Sequence, residues 1–241
     1  MRKMVVLFFL LVFSSAIYPE YKEADVYCPV LINTKWVYTV YPKKSSKKPY
    51  DRVTEITGTE TYDKLVYFTY FTPESDTKFL MRKDDNGVYL KVARYAVPFL
   101  SFIKFDVVFE PPVYAVRFPF KKGDSWKYDG IASLKTLGIF NFPTKVSATA
   151  THMGPEIIEA VGRSVNAFKL YAEMDREGAK TFKASFWFGE DVGLARYESD
   201  NIVLGLTSFE VKADAGGLKV KKRIALPRFF SRADKDIKPA D

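Results

Sequence analysis

Histidine and cysteine are nearly missing from this chain: its 241 residues hold one of each, His152 and Cys28. A single histidine excludes a histidine-based metal cluster and a two-histidine relay. A single cysteine excludes an internal disulfide, so the fold must rest on its core. No Gly-rich phosphate loop or dinucleotide fingerprint is written anywhere, so the sequence asks for no cofactor. Beyond the first sixteen residues no segment is both long and uncharged enough to span a bilayer. The most apolar stretch, Val97 to Phe120, is broken by Lys104, Asp106, Glu110 and prolines.

What stands at the start is a secretory layout. "MRKMVVLFFLLVFSSA" has Arg2 and Lys3, an apolar run Val5 to Phe13, then small residues. The run falls short of the ~20 residues that cross a membrane, and Ser14 and Ala16 suit a cleavage site. The expectation is an exported protein, periplasmic or attached to the cell envelope, cut after Ala16 and starting at Ile17. Acylation at Cys28 is not expected, because bulky Tyr27 precedes it far beyond the apolar run.

The formal charge of +8 is unevenly spread. Gly216 to Asp241 holds eight Lys or Arg against three Asp, leaving the body close to neutral. That argues against nucleic acid, which needs a basic face on the folded domain. The basic segment 213–241 is expected to be a tail. Lys219, Lys221, Lys222, Arg223 and Arg228, with Phe229 and Phe230, are its candidate contacts to an anionic membrane or a partner.

Aromatics make up 16% of the chain, which suits β-structure. The apolar period is two. In "SFIKFDVVF", Ile103, Phe105, Val107 and Phe109 alternate with Lys104, Asp106 and Val108. In "NAFKLYAEM", Phe168, Leu170, Ala172 and Met174 form one face. After "DREG" the chain returns with Phe182, Ala184, Phe186 and Phe188, which predicts a hairpin. Further strands are expected around "TPESD", on both sides of "KDDNG" and at "IVLGLTSFEVK". "PEIIEAVGRSV", Pro155 to Val165, fits a short helix or a strand about equally.

One spelling occurs twice. Pro29, Trp36 and Tyr38 recur as Pro119, Trp126 and Tyr128, each 90 positions later. A second landmark, strand–acidic turn–Gly–strand, recurs from Gly87 to Gly193. The reading is a tandem β-unit, 27–112 and 113–212, forming a curved antiparallel sheet, half-barrel or sandwich with little helix. In each copy Pro stands at the start of a strand, where it costs no ladder bond. Trp and Tyr, two apart, share one face. Asn33 or Gly123, three before the Trp, permits a tight turn. Pro29, Trp36, Tyr38, Pro119, Gly123, Trp126, Tyr128, Trp187 and Gly193 are therefore expected to be structural anchors.

"FPFKKGDSWKY" and "SFWFGEDVGLARYES" together resemble a broad group of exported bacterial β-rich proteins and lipoproteins of uncharacterised role. The shared pattern reads about "fPl-x-x-G-x-x-W-x-Y … yWfa-x-x-vGlv". Pro119, Gly123, Trp126, Tyr128, Trp187 and Gly193 stand at its positions. The resemblance implies the curved sheets of lipoprotein carriers and an envelope location, and no reaction.

No catalytic set emerges. "GDSW" lacks the Asp that an esterase of that type places three before its histidine, since Thr149 precedes His152. His152 itself is expected at a strand end, solvated or hydrogen-bonded. Cys28 with His152 has no oxyanion signature beside it. Asp84–Asp85 and Glu190–Asp191 fall in predicted turns. The expectation is a non-catalytic envelope protein binding a lipid or other apolar ligand on a concave β face. The alternative is an assembly component without a small ligand.

Overall fold

Alternation at period two is realised as twelve strands in the structure, a computed structural model that describes residues 23–97, 100–136 and 140–211. They are β1 (Thr34–Pro42), β2 (Tyr50–Tyr62), β3 (Leu65–Thr72), β4 (Thr77–Asp84), β5 (Gly87–Val97) and β6 (Leu100–Arg117). Then follow β7 (Ser125–Thr136), β8 (Phe140–Ala160), β9 (Arg163–Arg176), β10 (Phe182–Gly189), β11 (Gly193–Ser199) and β12 (Ile202–Val211). Each strand pairs antiparallel with the next, and β12 pairs with β1 from Thr34↔Val211 to Pro42↔Ile202, closing a barrel. The expected curved antiparallel sheet is present, and it closes fully on itself. Closure removes the exposed edges that an open sheet must protect. The leader expected at 1–16 and the basic tail from Lys219 to Phe230 lie outside the described residues.

The turns follow from local chemistry. Asp63 (φ 49°) and Lys64 (φ 64°) join β2 to β3 as a two-residue turn with both residues left-handed, the hairpin type that matches strand twist. Asp84 Oδ1 accepts the backbone N–H groups of Asn86 and Gly87 at 2.8 and 2.9 Å, fixing the β4–β5 turn. "PEIIEAVGRSV" is neither a helix nor one strand. It is the β8–β9 hairpin, turning at Val161 (φ 44°) and Gly162 (φ 67°). A left-handed valine costs about 1–2 kcal/mol. Its side chain is 3% exposed and packs with Trp36, Val192 and Leu206, and burying a valine returns about 1.5–3 kcal/mol. Burial wins.

The duplicated spelling opens β1 and β7, and the second landmark is the β4–β5 turn and the β10–β11 turn. Both repeats are thus six strands apart in a twelve-strand ring. Asn33 (φ 67°) and Gly123 (φ 90°) are both left-handed just ahead of their strands. The prolines differ from expectation. Pro29 and Pro119 sit in the segments leading to β1 and β7, not at the strand starts. The limit between 112 and 113 lies within β6.

Strand β1 starts at one end of the barrel, and helix α1 (Glu23–Tyr27) packs over that end. Three hairpin ends hold it. Asp25 pairs with Lys83, Glu23 accepts the Phe120 N–H at 2.7 Å, and the Asp191 N–H donates to the Val26 carbonyl at 2.9 Å. The Tyr27 hydroxyl adds a bond to Glu190 at 3.2 Å. This end is plugged. No helix among the described residues is long and apolar enough to cross a membrane.

Strand faces separate two kinds of interior. On β3, Tyr70 and Thr72 face the barrel axis. Tyr67 on the opposite face joins Leu80, Val92 and Val108 in a further buried cluster. Val108 is therefore fully buried, while Ile103, Phe105, Val107 and Phe109 are half-buried. Alternation along β6 holds, but its richer apolar face is not its more buried one. Ion pairs of Arg94 with Asp106 at 2.7 Å and Glu60 at 3.3 Å lie on the same face as that cluster.

Candidate functional site

The barrel is hollow. A cavity of about 540 Å³ runs along its axis, within the range of roughly 300–1,000 Å³ usual for small-molecule sites. Cys28 and Pro29 floor it against the plug, and above them stand Trp36, Val88, Val116, Trp126 and Phe188. The opposite end is ringed by Arg52, Thr72, Met174, Phe182 and Ile202. Met174 and Phe182 are 37% and 39% exposed, marking an open mouth. The faces expected for the β9–β10 hairpin are correct: Ala172, Met174, Phe182, Phe186 and Phe188 all turn inward.

The two repeated Trp-x-Tyr pairs stand in the cavity wall with their polar tips satisfied. The Trp36 indole N–H donates to the Val192 carbonyl at 2.7 Å, and the Tyr38 hydroxyl to the Leu194 carbonyl at 3.0 Å. Trp126 donates to the Tyr114 carbonyl at 3.4 Å and Tyr128 to the Pro111 carbonyl at 3.0 Å. Burial pushes the Tyr38 and Tyr70 hydroxyls well above the ordinary tyrosine range. Tyr70 stacks on Trp36 with ring centres 6.0 Å apart. Gly193 (φ +77°) lies beneath them, where a Cβ would stand 3.4 Å from Pro29 Cδ and 3.6 Å from Trp36 Nε1.

Trp187 is placed differently. Its neighbours Phe186 and Phe188 line the cavity, so it points outward, donating to Glu156 Oε2 at 2.6 Å. Lys169 and Arg196 cover its ring at 4.7 and 5.1 Å. On β1, β7, β9 and β11 the outer face carries Lys35, Lys127, Asp129, Lys169 and Arg196, alternating with inward apolar residues. Membrane-spanning barrels show the reverse, apolar outside and polar inside. On these four strands the pattern is the opposite one.

His152 is not at a strand end. It lies mid-way along β8 beside the register shift at Gly154, and is 2% exposed. Nδ1 accepts the Lys121 N–H at 3.3 Å, leaving the ring proton of the neutral form on Nε2, which meets no acceptor. The rings of Phe120, Trp126 and Phe168 stand edge-on around it at 5.1–5.4 Å. Burial holds its pKa below the ordinary histidine value. Burial likewise pushes the Cys28 thiol up to about 12, with Lys83 partly opposing. Glu190 is bound to Tyr27 and Asn166, and Asp191 sits left-handed in the β10–β11 turn (φ 63°).

No cavity residue was legible in the sequence as a ligand contact. Arg52, Thr54, Tyr70, Thr72 and Leu204 all line the cavity. Their signal was present as pairs two apart on β2 and β3, but "LVYFTYF" is apolar on both faces, so inside and outside could not be told apart.

Neither protein-family models nor curated proteins match the sequence. Solved structures similar to this chain include two lipoproteins. One is a Parabacteroides distasonis ATCC 8503 protein provisionally classed as a lipoprotein: TM-score 0.46, 12% identity, 77% of this chain and 98% of that one covered. The other is the hypothetical lipoprotein YmcC of Escherichia coli K12: TM-score 0.39, 13% identity, 89% and 98% covered. Both likenesses are too distant to carry a function over to this chain.

Proposed function

We propose that this is an exported, non-catalytic cell-envelope protein whose barrel holds a lipid or another apolar ligand. The observation that carries the reading is the cavity: closed by α1, open at the other end, apolar within, in a barrel whose outer face on β1, β7, β9 and β11 is charged. The polar groups of Trp36, Tyr38, Trp126 and Tyr128 in its wall are bonded to backbone carbonyls. They offer a ligand apolar surface. Export is supported by the leader-like start of the chain. Tail contact with an anionic membrane is part of the proposal. Removing 216–241 is expected to lower cosedimentation with anionic but not neutral vesicles, and equal binding by both forms would discard it.

The test of the main reading is native mass spectrometry of protein purified without detergent, followed by titration with a fluorescent long-chain fatty acid. A bound species of lipid mass, or saturable one-to-one uptake, is expected. A clean apo mass with no uptake would discard the lipid reading and favour an assembly role. The surface for such a role is the stacked pair Phe140–Phe142, 51% and 56% exposed beside the β7–β8 turn.

A further inference from the structure

The cavity is apolar except at one corner of its mouth. Arg52 stands there on the inner face of β2, opposite Tyr38 across the β1–β2 ladder. Among the described residues it is the one cationic side chain lining the cavity, and none of them forms an ion pair with it. Its hydrogen bond to the Tyr50 hydroxyl is long, at 3.4 Å. A guanidinium carries five N–H donors, and that bond engages one of them. Glu173, the acidic residue at the rim, is bound instead to Lys183 at 2.9 Å and to the Tyr171 hydroxyl at 2.7 Å. Beside Arg52 the hydroxyls of Thr54 and Thr72 touch at 3.1 Å, giving a small polar corner above an apolar shaft.

A cation left without an acid at the rim of a greasy cavity fits one ligand shape. We infer that the cavity takes an anionic amphiphile, its acyl chain directed toward Trp36 and Trp126 and its carboxylate or phosphate held by Arg52. This rests on the apolar-ligand reading above and adds the head group and the direction of insertion. Arg52 meets carboxylate or phosphate through paired N–H groups, a geometry that a lysine ammonium does not reproduce.

The test compares three sixteen-carbon ligands on the full chain by calorimetry or probe displacement: palmitate, 1-palmitoyl lysophosphatidic acid and hexadecanol. Each is titrated into wild type, Arg52→Gln and Arg52→Lys, with thermal melts confirming that the variants fold. Wild type is expected to bind at least one anionic ligand about tenfold or more tighter than hexadecanol, as loss of a charge-assisted hydrogen bond would predict. Arg52→Gln is expected to abolish that preference, weakening the anionic ligands at least tenfold more than hexadecanol, with Arg52→Lys between. The better of palmitate and the lysophospholipid tells carboxylate from phosphate. Equal binding of all three by wild type and Arg52→Gln would overturn the head-group inference while leaving the cavity reading standing. No binding of any of the three to wild type would overturn both.

Discussion

At the scale of single residues, His152 makes a measurable demand on pH. It is the one histidine of the chain, so it is the side chain expected to titrate between pH 7.5 and 5.5. Burial depresses its native pKa below the unfolded value. The unfolded chain therefore takes up a proton that the native chain refuses. Its stability contribution is complete above about pH 6.5 and is lost as pH falls below it, with a slope of at most about 1.4 kcal/mol per pH unit. Asp124 and Glu23 oppose the shift in part. Chemical unfolding at pH 7.5, 6.5 and 5.5 is expected to show falling stability in wild type and a flatter profile in His152→Gln. Parallel profiles would mean that the imidazole is not held neutral. Nothing in "ATATHMG" announced this environment, because the rings around His152 come from Phe120, Trp126 and Phe168 on the preceding loop and on β7 and β9.

Elements were far more legible than residues. Period-two alternation located the β3–β4 and β9–β10 hairpins and β12, because neighbouring side chains of a strand face opposite ways. The doubled spelling located β1 and β7, each preceded by a left-handed residue. Replacing Asn33 or Gly123 with valine is expected to cost about 1–2 kcal/mol each, while Asn33→Gly is tolerated. Denaturant midpoints read this directly, and a tolerated valine at either place would detach the turn from the repeat. Trp36→Ala and Trp126→Ala are each expected to destabilise by roughly 3–5 kcal/mol, since both indoles are under 10% exposed. An unmoved midpoint for either would deny it an anchoring role. The helix-or-strand ambiguity at Pro155–Val165 had a physical origin: a left-handed valine is disfavoured locally and is compensated by packing from β1 and β12.

For the whole molecule, the decisive feature was out of reach of local pattern. Whether a curved sheet closes depends on β1 meeting β12, Thr34 against Val211, and no spacing within either strand encodes it. Closure turns the inward aromatics from a filled core into the wall of a cavity, which changes what Trp36 and Trp126 are available to touch. It also sorts the tryptophans: two line the cavity and Trp187 lies outside under Lys169 and Arg196. The measurement that tests this arrangement most directly is quenching of tryptophan emission by a fatty acid brominated on its chain, because bromine quenches rings that it reaches. Trp187→Phe keeps the two cavity indoles, and the double variant Trp36→Phe/Trp126→Phe keeps the outer one. Saturable, strong quenching in the first and little in the second is predicted. Equal quenching in both, or none in the first, would contradict a barrel that holds an acyl chain within it.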